Sequence, residues 1–205
     1  MLNIKANLLH PSLYSTAKYV MEKYQTDIAH CEHVLKNAYV LANLALPESK
    51  LTHEPALHPQ WQRLGLAALL HDIGHFVADK GHHKHSHYLI SHADELRHLN
   101  DQLVQDVALL SWCHRKHAKQ SWLDERFSGN LPLFQLSAIL RVADGLDRGH
   151  SGRVSIARGR HHGGALILDV HGLRKSEYEA LMDRKADAWK FAFHQPLEIR
   201  ILSTT

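Results

Sequence analysis

A histidine and an aspartate stand side by side in Leu69-Leu70-His71-Asp72-Ile73-Gly74-His75. They close a segment, Gln60 to Asp72, in which Trp61, Leu64, Ala67, Ala68 and Leu70 are apolar nearly all round, the pattern of a buried central helix. Burying a titratable pair without partners costs several kcal/mol. Neighbouring side chains on a helix point about 100° apart, so His71 and Asp72 can meet one ion only in the notch between them. Gly74 then lets the chain turn away. Imidazole with carboxylate suits one or two divalent transition metals, and manganese, iron, cobalt, nickel and zinc all accept such a set.

Further ligand types lie on other apolar stripes. His33 sits at the edge of a stripe made by Ile28, Cys31, Leu35, Ala38, Ala42 and Leu46, capped by Thr26 or Asp27 and ended by Pro47. Asp144 adjoins Ala143 in the stripe Leu133, Leu136, Leu140, Ala143, Leu146, which Pro132 opens. An ionised acid there needs a partner. His114 follows Leu110 by four residues, on the same face, in a helix expected from Gln102 to His117 with Asp101 as its N-cap. Four helices each offer an inward-facing His or Asp, the way helical bundles build metal sites.

The remaining elements frame these four. A first helix is expected from Pro11 to about Tyr24, a loop from Pro47 to Pro59, and a short helix from about Lys84 to Ala93. After Gly149 the character changes. Val154–Ala157 and Ala165–Val170 read as a hairpin, Lys175–Phe193 as one amphipathic helix and Leu197–Leu202 as a strand. The fold class is mainly α: a helical core over 1–149 and a small α+β extension over 150–205 packed on the same unit.

Composition narrows the function classes. Twenty of 205 residues are histidine, and His71, His75, His82, His83, His85, His87, His92 and His98 share one short stretch. Lys and Arg number 24 against 21 acids, a net charge of +3, so no specific nucleic-acid partner is implied. Cys31 and Cys113 are too few for a disulfide framework or a cysteine zinc site. The longest apolar run, Leu66–Leu70, is far short of a membrane span. No secretory leader is apparent at the N-terminus. A cytoplasmic location without membrane association is the expectation.

His33, the His71-Asp72 pair and Asp144, in that order, resemble the HD-domain metal-dependent phosphohydrolase superfamily. More closely, HDIGHF, GHHKHSHYLI, CHRKH and ILRVADGLDR resemble the C-terminal HD domain of the exopolyphosphatase/guanosine pentaphosphatase family, from roughly Tyr14 to Leu202. The resemblance implies an HD-domain helical bundle. It does not extend to that family's actin-like N-terminal domain, which carries the polyphosphatase active site, so that activity is not carried over. Some members of the family have degraded HD ligands, whereas this sequence keeps the set.

The chain is also similar to binuclear HD enzymes that hydrolyse dinucleoside polyphosphates, which add two histidines between the HD pair and the last aspartate. His114 matches the second. The first is His82, by its spacing to Ser86, with His83 and His85 as less favoured alternatives. The resemblance thus implies His33, His71, Asp72 and Asp144 on one ion, with Asp72 bridging to a second that His82 and His114 complete. His75 stands where many HD enzymes carry a lysine, which implies a phosphate contact or general acid. Lys84, Arg115, Lys116 and Arg148 lie beside these ligands and are candidates to hold a phosphate chain. Asp147 shares a helix face with Asp144 and is expected to orient a ligand histidine.

The expected function is a metal-dependent phosphohydrolase acting on a small phosphorylated substrate, a nucleotide or polyphosphate, with homodimerisation open. The alternative is a non-catalytic nucleotide-binding, regulatory module. Metal buffering by surplus histidine is disfavoured, because the histidines form no tract.

Overall fold

Proline sets the start of three of the helices. It lacks the N–H that a helix's first turn leaves unpaired, and its φ is already helical. The computed structural model describes residues 8–46 and 57–202. Pro11 opens α1 (Pro11–Lys23), and Asp27, whose side chain accepts from the His30 amide, caps α2 (Ile28–Ala45). Of the expected Pro47–Pro59 loop, all but Leu57, His58 and Pro59 lies outside the described residues. Pro59 opens α3 (Pro59–Leu70), buried on nearly every side as its sequence requires. A 3-10 turn, Ile73–Phe76, leads into α4 (His82–His92), which starts two residues earlier than expected, directly after left-handed Gly81.

Asn100 rather than Asp101 caps α5 (Asp101–Cys113), because its carbonyl oxygen reaches the Leu103 amide at 3.2 Å. The helix ends at Cys113, not His117. Buried Arg141 donates to the carbonyls of Cys113 (2.7 Å), Arg115 (3.2 Å) and Lys116 (2.5 Å), and Lys116 turns to a φ of 68°. Guanidinium donors thus replace the next helical turn. After the single turn α6 (Trp122–Glu125) comes α7 (Leu131–Leu146), with Pro132 in its first turn and almost every side chain from Leu133 onward buried.

The C-terminal part is a hairpin, two helices and a strand. β1 (Ser155–His162) and β2 (Ala165–His171) pair antiparallel across Gly163-Gly164, whose φ angles of 59° and 77° suit a tight two-residue turn. β3 (Leu197–Ile201) pairs parallel to β2, giving the order β1-β2-β3. The expected single helix is two, α8 (Lys175–Arg184) and α9 (Asp187–Phe193). The break has a cause: Arg141 also takes the Arg184 carbonyl (2.8 Å) and the Asp187 carboxylate (2.7 Å).

The architecture is mainly α with a small sheet. α3 packs against α1, α2, α5 and α7, while α8 and α9 lie on α7. The apolar stripes therefore point their polar exceptions at one another. Among the described residues no helix is long and apolar enough to cross a membrane.

Candidate metal centre

Four helices, α2, α3, α5 and α7, together with the first residue of α4, deliver six side chains to one buried focus. Asp72, just beyond the C-terminus of α3, stands at its middle and divides its oxygens between two sets of histidines. Oδ2 faces His71 Nε2 at 3.4 Å and His30 Nε2 at 3.7 Å. Oδ1 faces His82 Nε2 at 3.4 Å and His114 Nε2 at 3.5 Å. Asp144 Oδ1 adds 3.7 Å to His30 Nε2 and 3.9 Å to His71 Nε2.

The other ring nitrogens settle what these Nε2 atoms present. His71 Nδ1 donates to the Ala68 carbonyl (2.9 Å), His114 Nδ1 to that of Ser111 (2.5 Å) and His30 Nδ1 to the Asp147 carboxylate (2.9 Å). A neutral imidazole that donates at Nδ1 carries a lone pair at Nε2. His82 Nδ1 lies between the Asp79 carbonyl at 3.1 Å and the Arg115 guanidinium at 3.2 Å. The Nε2 atoms of His30 and His71 are buried without a hydrogen-bond partner, each aimed at two carboxylates. Lone pairs and anionic oxygens gathered in a dry site repel unless a cation lies between them. The donor set of imidazoles and carboxylates fits a divalent transition ion.

The electrostatics agree. Burial works against both carboxylates, yet His71 and His114 hold the Asp72 carboxyl below its ordinary range, and Lys185 with His71 does the same for Asp144. Burial pushes the pKa values of His71 and His114 down, against the raising effect of Asp72 and Asp144. For His30 burial is outweighed by the Asp147 hydrogen bond and the charges of Asp144 and Asp72, and the value is raised.

His71, Asp72, His82, His114 and Asp144 are thus brought together as the sequence suggests. His33 is not. Its Nε2 bonds the Val154 carbonyl at 2.6 Å, half-buried, and it forms no ion pair with Asp72 or Asp144. His30 stands at the focus instead, one helical turn earlier. Its face runs through Val34, Asn37 and Leu41, all buried, whereas His33 shares a face with exposed Lys36 and half-exposed Val40. That i, i+4, i+7, i+11 series was readable in the sequence. His150 stacks on His30 at 3.7 Å between ring centres and bonds Asp27 at 3.1 Å.

Asp147 is buried, bonding His30 on one oxygen and the Ser151 (3.2 Å) and Gly152 (2.9 Å) amides on the other. The histidine it orients is His30. Gly74 acts by close approach rather than by turning, since a Cβ there would lie 2.1 Å from the His82 carbonyl and 2.4 Å from the Ser86 amide. Ser86 Oγ accepts from the Gly74 amide at 2.9 Å, which seats α4 against the turn and brings His82 to Asp72.

The focus opens into a cavity of about 1330 Å³. Lys84, Arg115, Lys116 and Arg148 line it, exposed and basic, joined by Lys80, Arg184 and Lys185. His75 is at its mouth, 3.8 Å from Asp72 Oδ1 and bonded to Asp79 at 2.7 Å. His83 and His85 also line it; neither pairs with Asp72 or Asp144. His83 is buried with both ring nitrogens unpartnered, and burial beside Lys116 and Arg115 pushes it down to about 4. Lys185, in the break between α8 and α9, carries no signal in the sequence. Its Nζ binds Asp144 Oδ2 and the His114 carbonyl at 2.9 Å. Compared with known families, residues 14–196 match the model described as Ppx/GppA phosphatase, domain III.

Proposed function

The chain belongs to the Ppx/GppA phosphatase family, as its domain III, and from that premise we propose that it is itself a metal-dependent phosphohydrolase of the HD type. The substrate is a nucleotide or polyphosphate-type compound, cleaved at a phosphoester or phosphoanhydride bond. One observation carries the reading: Nε2 atoms of four histidines converge on Asp72, whose two oxygens serve different pairs. His30, His71, Asp72 and Asp144 would hold one divalent ion. Asp72, His82 and His114 would hold a second. Manganese, iron, cobalt, nickel and zinc all suit these donors.

Divalent ions held by these residues would supply polarisation of phosphoryl oxygens and activation of water. The residues of the chain supply the rest. Lys84, Arg115, Lys116 and Arg148 line the cavity and offer charge-assisted hydrogen bonds to phosphate oxygens. Arg115 also touches His82, so a bound phosphate would sit beside the second ion's ligands. His75, close to Asp72 Oδ1 yet exposed, would carry a proton to a leaving oxygen. Asp147 fixes the His30 ring, and the carbonyls of Ala68 and Ser111 fix those of His71 and His114.

The test is a panel of mononucleotides, dinucleoside polyphosphates, guanosine tetraphosphate and inorganic polyphosphate, each with manganese, cobalt or zinc. Turnover of at least one class, lost on chelation, is expected. Tight nucleotide binding with no hydrolysis under any metal would contradict it and make the domain a regulatory binding module.

A further inference from the structure

The C-terminal helices reach into the centre at a single point. α8 ends packed closely on α7 one residue past Asp144: a Cβ on Gly145 would lie 2.4 Å from Leu181 Cδ1 and 3.1 Å from Lys185 Cβ. Arg141 ties the same junction down through the Arg184 carbonyl. The junction aims Lys185 inward, and its side chain is only 13% exposed.

The ammonium divides the work of Asp144. Oδ2 is taken by Lys185, while Oδ1 faces His30 and His71. Lys185 also bonds the carbonyl of His114, a residue of the other histidine pair. Building on the metal reading above, we propose that Lys185 is a positioning residue that restricts Asp144 to one oxygen toward the ion. The restriction keeps a coordination position open for the reacting groups, which a catalytic metal site needs and a structural one does not.

Two consequences have opposite signs. A cation beside a divalent ion repels it, and in a buried site the repulsion is strong. Without Lys185 both Asp144 oxygens are free to grip the ion. The site then binds metal more tightly and turns over less. A lysine serving only to pack the junction would act otherwise, since its loss would weaken fold and metal binding together.

The experiment compares the full-length wild type with Lys185→Met and Lys185→Arg. Zinc and manganese affinities are measured by competition with a chelator, using the metal alone. In parallel, kcat and KM are measured on an aryl phosphate ester, and unfolding of the metal-free proteins is followed by circular dichroism. Lys185→Met is expected to bind metal about tenfold tighter or more, with loss of kcat and little change in KM. Lys185→Arg, which keeps charge and donors, is expected to stay near wild type in affinity. A Lys185→Met protein that binds metal more weakly, or keeps its kcat, overturns the proposal. A wild type that takes up no divalent ion overturns instead the reading of the centre on which the proposal rests.

Discussion

His30 and His33 lie three residues apart on α2 and meet different fates. The ring of His30 is buried, its Nδ1 held by Asp147 and its Nε2 left bare toward Asp72 and Asp144. The His33 ring is spent on a backbone carbonyl of the segment leading into β1. Substituting His30 by Ala is expected to remove most metal affinity, and Asp147→Asn to lower it about 10–100-fold by loosening the ring. His33→Ala is expected to leave affinity near wild type. Metal titration of the three variants checks this, and a His33→Ala protein that alone loses metal would reverse the assignment. In the sequence His71, Asp72, His114 and Asp144 could be found because each interrupts an apolar stripe. His30 is harder to see in the sequence, because it sits beside Cys31, just off the stripe of Ile28, Cys31 and Leu35, and the HD resemblance points to His33. Lys185 had no local signal at all, since its partner Asp144 lies 41 positions away.

Between elements, one buried guanidinium does the joining. Arg141 of α7 is fully buried and holds both the turn after α5, which carries Arg115 and Lys116, and the α8–α9 junction, which carries Lys185. Its charge is balanced by Asp187, whose other oxygen accepts from the Ala118 amide at 2.6 Å. Removing one partner of a buried ion pair costs about 3–5 kcal/mol, so Arg141→Met is expected to destabilise the chain by that order in denaturant unfolding. A loss under about 1 kcal/mol would mean that these carbonyls find other donors. Several helix starts were legible in the sequence, because Pro11, Asp27 and Pro132 act locally. Two helix ends were not. α5 stops at Cys113, and α8 parts from α9, on account of a residue from a distant stripe, which periodicity read one helix at a time does not reveal.

At the scale of the whole molecule, the histidine excess sets how stability responds to acid. Burial depresses His71, His82, His83, His87 and His114 in the folded chain, His82 and His83 to about 4. Unfolding restores an ordinary value near 6.5, about where free imidazole titrates. From roughly pH 6.5 down to 4, then, the unfolded chain binds protons that the folded chain refuses, and stability falls as pH falls. His30, raised by Asp147 after burial is offset, opposes this with the reverse sign but stands against five. Metal-free protein is expected to lose thermal stability steadily between about pH 7 and 4, with calorimetry as the check. A melting temperature flat across that range would mean that these rings are not held neutral. Bound metal should deepen the dependence, because protons and ions compete for the same lone pairs. The measurement that bears most directly on the centre is elemental analysis of untagged wild-type and Asp72→Ala proteins after identical incubation with manganese, cobalt or zinc. One or two ions per wild-type chain and almost none in the variant are expected; an Asp72→Ala protein that is fully metallated would contradict a centre built on that carboxylate.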